Sequence, residues 1–104
     1  MVMPVVAIVR FALPRPMTVD EARATFEAGA PAYQTMPGLQ RKHYLISEDG
    51  MVAGGFYLWD SKDLAEATYN ADWRERLTKR YGAPPSVEYF HSPVTVDPIA
   101  ITTF

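Results

Sequence analysis

Residues 5–11 are almost wholly apolar, with Val5, Ala7, Val9 and Phe11 on one parity and Val6 and Ile8 on the other. Apolar, mostly β-branched side chains on both faces predict a buried strand. Leu13-Pro14-Arg15-Pro16 stops it, because proline brings no amide to a ladder. The period then changes from two to 3.6. Thr18 with Glu21 three residues on predicts a capping box. Behind it Val19, Ala22, Phe26, Ala30 and Tyr33 fall on one helical stripe. Gly29 and Pro31 weaken the last turn, and Met36-Pro37-Gly38 ends it.

Residues 39–47 predict a second strand and residues 51–59 a third, joined by a Glu48-Asp49-Gly50 turn. Ser61 caps a second helix whose first part covers residues 62–69. Asn70-Ala71-Asp72 offers a fresh start, with Asp72 and Glu75 spaced as another box. Trp73, Leu77 and Tyr81 then form a single apolar stripe, which Gly82 and Pro84-Pro85 close. Residues 86–93 predict a fourth strand. Residues 94–104 are apolar and β-branched, which predicts an arm that docks on a protein surface.

The order β-α-β-β-α-β is the ferredoxin-like arrangement, an α+β fold with a four-stranded antiparallel sheet and two helices on one face. The third strand sharpens this picture. In Gly54-Gly55-Phe56-Tyr57-Leu58-Trp59 both parities are apolar or aromatic, yet two helices cover only one face. An uncovered apolar sheet face would exceed the ~300–600 Å² patch usual on monomers. The expected cover is a second copy, sheet against sheet, so the chain is expected to be a homodimer.

With 104 residues the chain predicts one domain, residues 1–104. Its net charge of −2 and its scattered basic residues argue against nucleic-acid binding. It has no cysteine, which excludes disulfides, thiolate catalysis and cysteine-ligated metals. The first ten residues lack a basic leader region, and no apolar run approaches the ~20 residues of a membrane span. A soluble cytoplasmic protein with no membrane partner is expected.

Met36-Pro-Gly-Leu-Gln-Arg-Lys-His-Tyr44, Ala53-Gly-Gly-Phe-Tyr-Leu-Trp-Asp60, Trp73-Arg-Glu-Arg-Leu77 and Arg80-Tyr-Gly-Ala-Pro-Pro-Ser-Val-Glu-Tyr-Phe90 resemble the YdhR-type proteins. Those are classed as monooxygenases in the dimeric α+β barrel superfamily, beside the antibiotic-biosynthesis monooxygenases. The resemblance spans most of the chain. It implies a dimer whose sheets form a barrel, with a cavity between sheet and helices in each subunit. It also implies an oxygenase without metal, flavin or haem, using dioxygen on a phenolic, quinol or polyketide-like substrate. In the antibiotic-biosynthesis relatives an asparagine, a tryptophan and an arginine line the cavity. Asn70 and Trp73 are the nearest matches, and no arginine corresponds.

His43 and His91 are the only histidines, both in predicted strands, and either is a candidate general base. His43 shares a parity with Arg41 and Leu45, and His91 with Val87 and Tyr89, but parity does not say which meets the helices. Each serves equally as a hydrogen-bonded structural residue. Asn70 is a candidate hydrogen-bond donor to substrate, or a cap. Trp73 is a candidate wall of the cavity, or core. Tyr33, Tyr44, Tyr57, Trp59, Tyr69 and Tyr89 combine apolar bulk with a polar handle and are candidates to orient a planar aromatic substrate. Arg41 and Lys42 lie on a strand with few wet positions, where one could draw an anionic group to the pocket mouth. Arg74, Arg76, Lys79 and Arg80 read as a solvated basic face. No metal-ligand spacing such as His-x-x-x-His occurs. Gly54-Gly55 sits mid-strand and signals a bulge or close backbone approach rather than a phosphate loop. Two other functions fit the same features: a non-oxidative cyclase or isomerase, and a non-catalytic dimeric module that binds a small ligand.

Overall fold

β1 (Val5–Ala12) runs through the middle of the sheet, antiparallel to β3 (Val52–Trp59) on one side and β4 (Ser86–His91) on the other. β2 (Leu39–Ile46) lies outside β3, giving the order β2-β3-β1-β4. This is the ferredoxin-like α+β fold. The structure, a computed structural model, describes residues 3–104. Its helices are α1 (Val19–Gly29), α2 (Lys62–Thr68) and α3 (Ala71–Tyr81), with a 3-10 turn at Ala30–Tyr33. Among the described residues no helix is long and apolar enough to cross a membrane.

The core lies between the helices and one sheet face. Ala7, Val9, Phe11, Ala53, Tyr57 and Trp59 supply the sheet side, and Ala65, Tyr69, Trp73, Leu77 and Tyr81 the helix side. Phe11 stacks on Tyr81 with ring centroids 4.4 Å apart. The α3 stripe is thus buried as its spacing requires. Gly82 ends α3 in the left-handed region at φ 76°, where glycine carries no Cβ penalty.

Local signals place the other boundaries. Thr18 and Glu21 form the reciprocal capping box, Glu21 N donating to Thr18 Oγ1 and Thr18 N to Glu21 Oε1. Val19 is an exception to the expected stripe: at the first helical position, ahead of the packed turns, it stays 59% exposed. Pro31 converts the end of α1 into the 3-10 turn, which still delivers Tyr33 against the core. The expected Asp72–Glu75 box does not form. Asn70 already occupies the cap and accepts the Trp73 amide, so Asp72 stands inside the first turn and pairs with Arg76 instead.

The residues beyond β4 do not extend as a plain arm. They fold back as the hairpin β5 (Val94–Val96) and β6 (Ile101–Thr103), its turn fastened by Asp97 accepting the amides of Ile99 and Ala100. On the sheet face away from the helices, Val6, Ile8, Phe56 and Leu58 are half-buried and Leu45 and Phe90 exposed.

Candidate functional site

A register shift in β2 decides which side chains meet the helices. Leu39 pairs with Trp59, but the next partner of β3, Leu58, is Arg41, so Gln40 is an extra residue in the ladder. One inserted residue reverses the parity of everything after it. Lys42, Tyr44 and Ile46 therefore share the helix-facing side with Leu39, opposite Tyr57, Gly55 and Ala53. Arg41, His43 and Leu45 face away.

Lys42 is the consequence. It sits across from Tyr57, and its Nζ lies 3.4 Å from the ring centroid of Tyr33, 3.7 Å from that of Tyr44 and 4.5 Å from that of Tyr57. Gly55 leaves room for the stem, since a Cβ there would be 3.3 Å from Lys42 Cε. The chain has three lysines. Lys62 and Lys79 each reach a glutamate four positions away on a helix, whereas among the described residues Lys42 has no carboxylate partner. Burial pushes the Lys42 ammonium down to about 6, and the positive charge of Arg80 adds to the effect.

Arg80 is a second surprise. Though the residue is exposed, its guanidinium lies over Gly29, where a Cβ would stand 2.7 Å from Nη1 and 3.4 Å from the Tyr44 hydroxyl. Gly29 is the gap that admits it. Arg80 and Lys42 then flank a tight space with Tyr33, Tyr44, Tyr57 and Tyr81. Burial raises the phenol pKa of Tyr44, Tyr57 and Tyr69, and brings Tyr81 to about 12. These tyrosines are neutral hydroxyls at physiological pH.

A hydrogen-bonded aromatic wall stands behind. Trp73 Nε1 donates to the Tyr33 hydroxyl and Trp59 Nε1 to the Tyr69 hydroxyl, both at 2.9 Å. Tyr57 and Trp59 lie parallel at 6.1 Å, and Tyr69 packs 4.6 Å from Trp73. Tyr89 stands at the edge of this group, 6.5 Å from Tyr69 and beneath the ammonium of Lys62.

Two clefts flank the α1–β2 contact, which is a Phe26–Tyr44 stack at 4.6 Å. One, about 340 Å³, opens between the 3-10 turn and β2 and reaches Tyr33, Lys42 and Tyr44. The other, about 300 Å³, is walled by Ala22, Phe26, Tyr44 and Ile46. A third, about 360 Å³, lies at the helix break and is bordered by Met36, Leu64, Asn70 and Trp73. All are at the small end of ligand-holding pockets.

The fold gathers Tyr33, Tyr44 and Tyr57 around Lys42, with Trp59, Tyr69 and Trp73 behind them. It does not bring the histidines there. His43 is exposed on the open sheet face, 6.0 Å from Phe56, and His91 is exposed at the end of β4. Asn70 spends its amide on the backbone, accepting from Trp73 N at 2.9 Å and donating to Ala67 O at 3.1 Å. Among the described residues no three His, Asp or Glu side chains converge as a metal site would need. Sequence reasoning gave Lys42 only a place at the pocket mouth; it put Arg80 on a solvated face, where the residue is indeed exposed, but did not show its guanidinium reaching Gly29 and Tyr44. A signal for Lys42 existed, a cation in a strand with tyrosine two residues on, but the bulge at Gln40 was needed to read it.

No family model matches the chain, and neither does any curated protein sequence. Solved structures do share its fold. A monooxygenase from the gene ActVA-Orf6 of Streptomyces coelicolor, in complex with the ligand nanaomycin D, is 21% identical, with a TM-score of 0.67 over 92% of this chain and 93% of that one. A Bordetella bronchiseptica protein provisionally named an antibiotic-biosynthesis monooxygenase is 17% identical over 86% of this chain and 97% of its own, at a TM-score of 0.65. Rv0793 of Mycobacterium tuberculosis is 20% identical over 93% and 99%, at a TM-score of 0.59. At these identities the likeness establishes the fold.

Proposed function

We propose that this chain is a monooxygenase of the antibiotic-biosynthesis type, akin to the YdhR-type branch, acting with dioxygen on a small hydroxylated aromatic compound. The observation that carries this reading is the tyrosine-walled cleft opening onto Lys42, set in a fold shared with a monooxygenase that holds a small-molecule ligand. Tyr33 and Tyr44 would border the substrate ring at the cleft, with Tyr57, Trp59, Tyr69 and Trp73 fixing the wall behind them.

The chemistry draws its electrons from the substrate. A quinol or similar electron-rich ring gives up a hydroxyl proton, and the anion passes an electron to dioxygen. Recombination at a ring carbon, loss of its hydrogen and O–O cleavage leave a new carbonyl on the substrate and one water. The two electrons that reduce the second oxygen atom come from the C–H that is oxidised. The protein's part is a base, neutral donors and shelter from water.

We further propose that two copies pair through the open sheet face, with the C-terminal hairpin of each reaching its partner. The half-buried Phe56 and Leu58 and the exposed Leu45 and Phe90 support this, as does the apolar hairpin, whose Ile101 is 72% exposed.

Oxygen uptake with a panel of naphthohydroquinones, measured with a chelator present, tests the activity. Uptake above the uncatalysed rate, with one oxygen atom appearing in the product by mass, is expected. Absence of uptake across the panel would end the reading. A non-oxidative isomerase is the second reading, favoured by the same amine, and substrate conversion that proceeds unchanged without oxygen would select it.

A further inference from the structure

We propose that Lys42 is the acid–base residue of this cleft: its amine takes the proton from an ionisable ring hydroxyl or enol, and the ammonium so formed holds the oxyanion left behind. The step breaks the substrate O–H bond, forms the fourth bond to Nζ and leaves the electron pair on oxygen. The inference rests on the reading above for the location and the hydroxylated aromatic class of the substrate, not for the oxidation that follows.

Three features of the cluster support it. Nζ is covered by three tyrosine ring faces and meets no carboxylate, whereas both other lysines are paired on exposed helix surfaces. Burial and Arg80 leave the amine free of its proton near neutrality. The phenols of Tyr44 and Tyr57 are held protonated by the same burial, so they donate hydrogen bonds but take no proton. From the elements packed round Lys42, the titratable and charged groups are Tyr33, Tyr44, Tyr57, Tyr81 and Arg80, with Arg23 and Glu27 of α1 beyond Tyr44. None of the groups touching the tight space is an acid. Lys42 is the one base there.

The site also suits the product of the transfer. An ammonium against aromatic faces gains cation–π attraction. The substrate oxyanion gains the Lys42 ammonium beside it, in a cleft whose lining carries no carboxylate. A ligand without an ionisable hydroxyl does not.

The test uses 4-nitrophenol, which absorbs as a yellow anion only when ionised. Wild-type protein is expected to bind it as the anion at least one pH unit below its free midpoint, a tenfold shift of the ionisation equilibrium. K42M is expected to bind it neutral. K42R carries the charge that Lys42 gains on transfer but cannot accept a proton, so it is expected to bind added nitrophenolate and to lower oxygen uptake about 100-fold, in the range of general-base losses. Side-chain NMR gives an independent reading: Lys42 should titrate well below the ordinary lysine value. A probe that does not bind, or binds neutral to wild type, overturns the proposal, as does a Lys42 midpoint at the ordinary lysine value. The two readings fail separately. Hydroquinone oxidation that K42R leaves intact removes Lys42 and spares the oxygenase, while anion capture without oxygen uptake does the reverse.

Discussion

Lys42 makes its own stability prediction, apart from any activity. An unfolded chain protonates this side chain at the ordinary lysine value, whereas the folded site holds it at about 6. Between those values the unfolded state binds more protons, so stability falls as pH drops through the window and reaches its full penalty below about pH 6. The slope is at most about 1.4 kcal/mol per pH unit. K42M removes the charge and keeps an unbranched apolar stem. It is expected to melt higher than wild type at pH 7, with a flatter pH dependence between 6 and 10, and thermal melts across that range check it. A lower melting temperature at pH 7 would mean that packing of the ammonium on its rings outweighs its desolvation. Gly54 gives the opposite kind of residue effect. A Cβ there would run into the Val9 carbonyl across the β1–β3 pair, and backbone cannot move aside as a side chain can. G54A is expected to cost about 1–3 kcal/mol in urea denaturation, the usual range for overpacking. The sequence pointed to close approach at Gly54-Gly55, and both glycines serve that need. It could take Lys42 no further than the pocket mouth, because most of its partners lie 9 to 38 positions away and its face depends on the parity of a strand.

At the scale of elements, the legible parts were those written in neighbouring residues. The Thr18–Glu21 box, the Ser61 cap, the Asp-Gly turn and the Gly82 stop all act within one turn of chain, so residue chemistry fixes them. What failed was choice between two local signals. Asn70 and Asp72 both read as caps, and only the chain path shows that Asn70 takes the Trp73 amide first. N70A is therefore expected to destabilise the protein by about 1 kcal/mol, with N70D close to wild type, since aspartate accepts the same bond and favours the helix dipole. D72N, whose ion pair to Arg76 is exposed, is expected to stay within about 0.5 kcal/mol. Urea midpoints for the three variants test the ranking. An N70A loss no larger than that of D72N would move the cap to Asp72. The bulge at Gln40 left no such local mark. Gln40 is polar, exposed and bonded to Asp60 at 2.8 Å, so nothing in its own chemistry separates an inserted residue from an ordinary outward one.

Over the whole molecule, the fold followed from the order of periods, and the open sheet face from Phe56 and Leu58 alternating with Tyr57 and Trp59. The two faces differ in kind. The helix side closes over its aromatic residues and satisfies the polar ends it buries, with Trp59 and Trp73 each donating to a tyrosine. The other side has no such network, and its apolar Val6, Ile8, Phe56 and Leu58 lie on the inner strands, flanked by Arg41 and His43 on β2 and by the exposed pair that Glu88 of β4 makes with Arg10. That mixture of apolar centre and charged rim is what a pairing surface presents. Charge placed at its centre should therefore act on association and leave the helix-side core alone. The variant carrying F56K and F90K is expected to sediment as a monomer where wild type sediments as a dimer at tens of micromolar. Wild-type melting temperature should rise with protein concentration, because only the paired state gains the buried face, and the variant's should not. If the lysine cleft works within one subunit, nitrophenol capture should survive in the monomeric variant. Capture lost on dissociation would instead place part of the site across the two sheets, where His43 and Arg41 stand on that face.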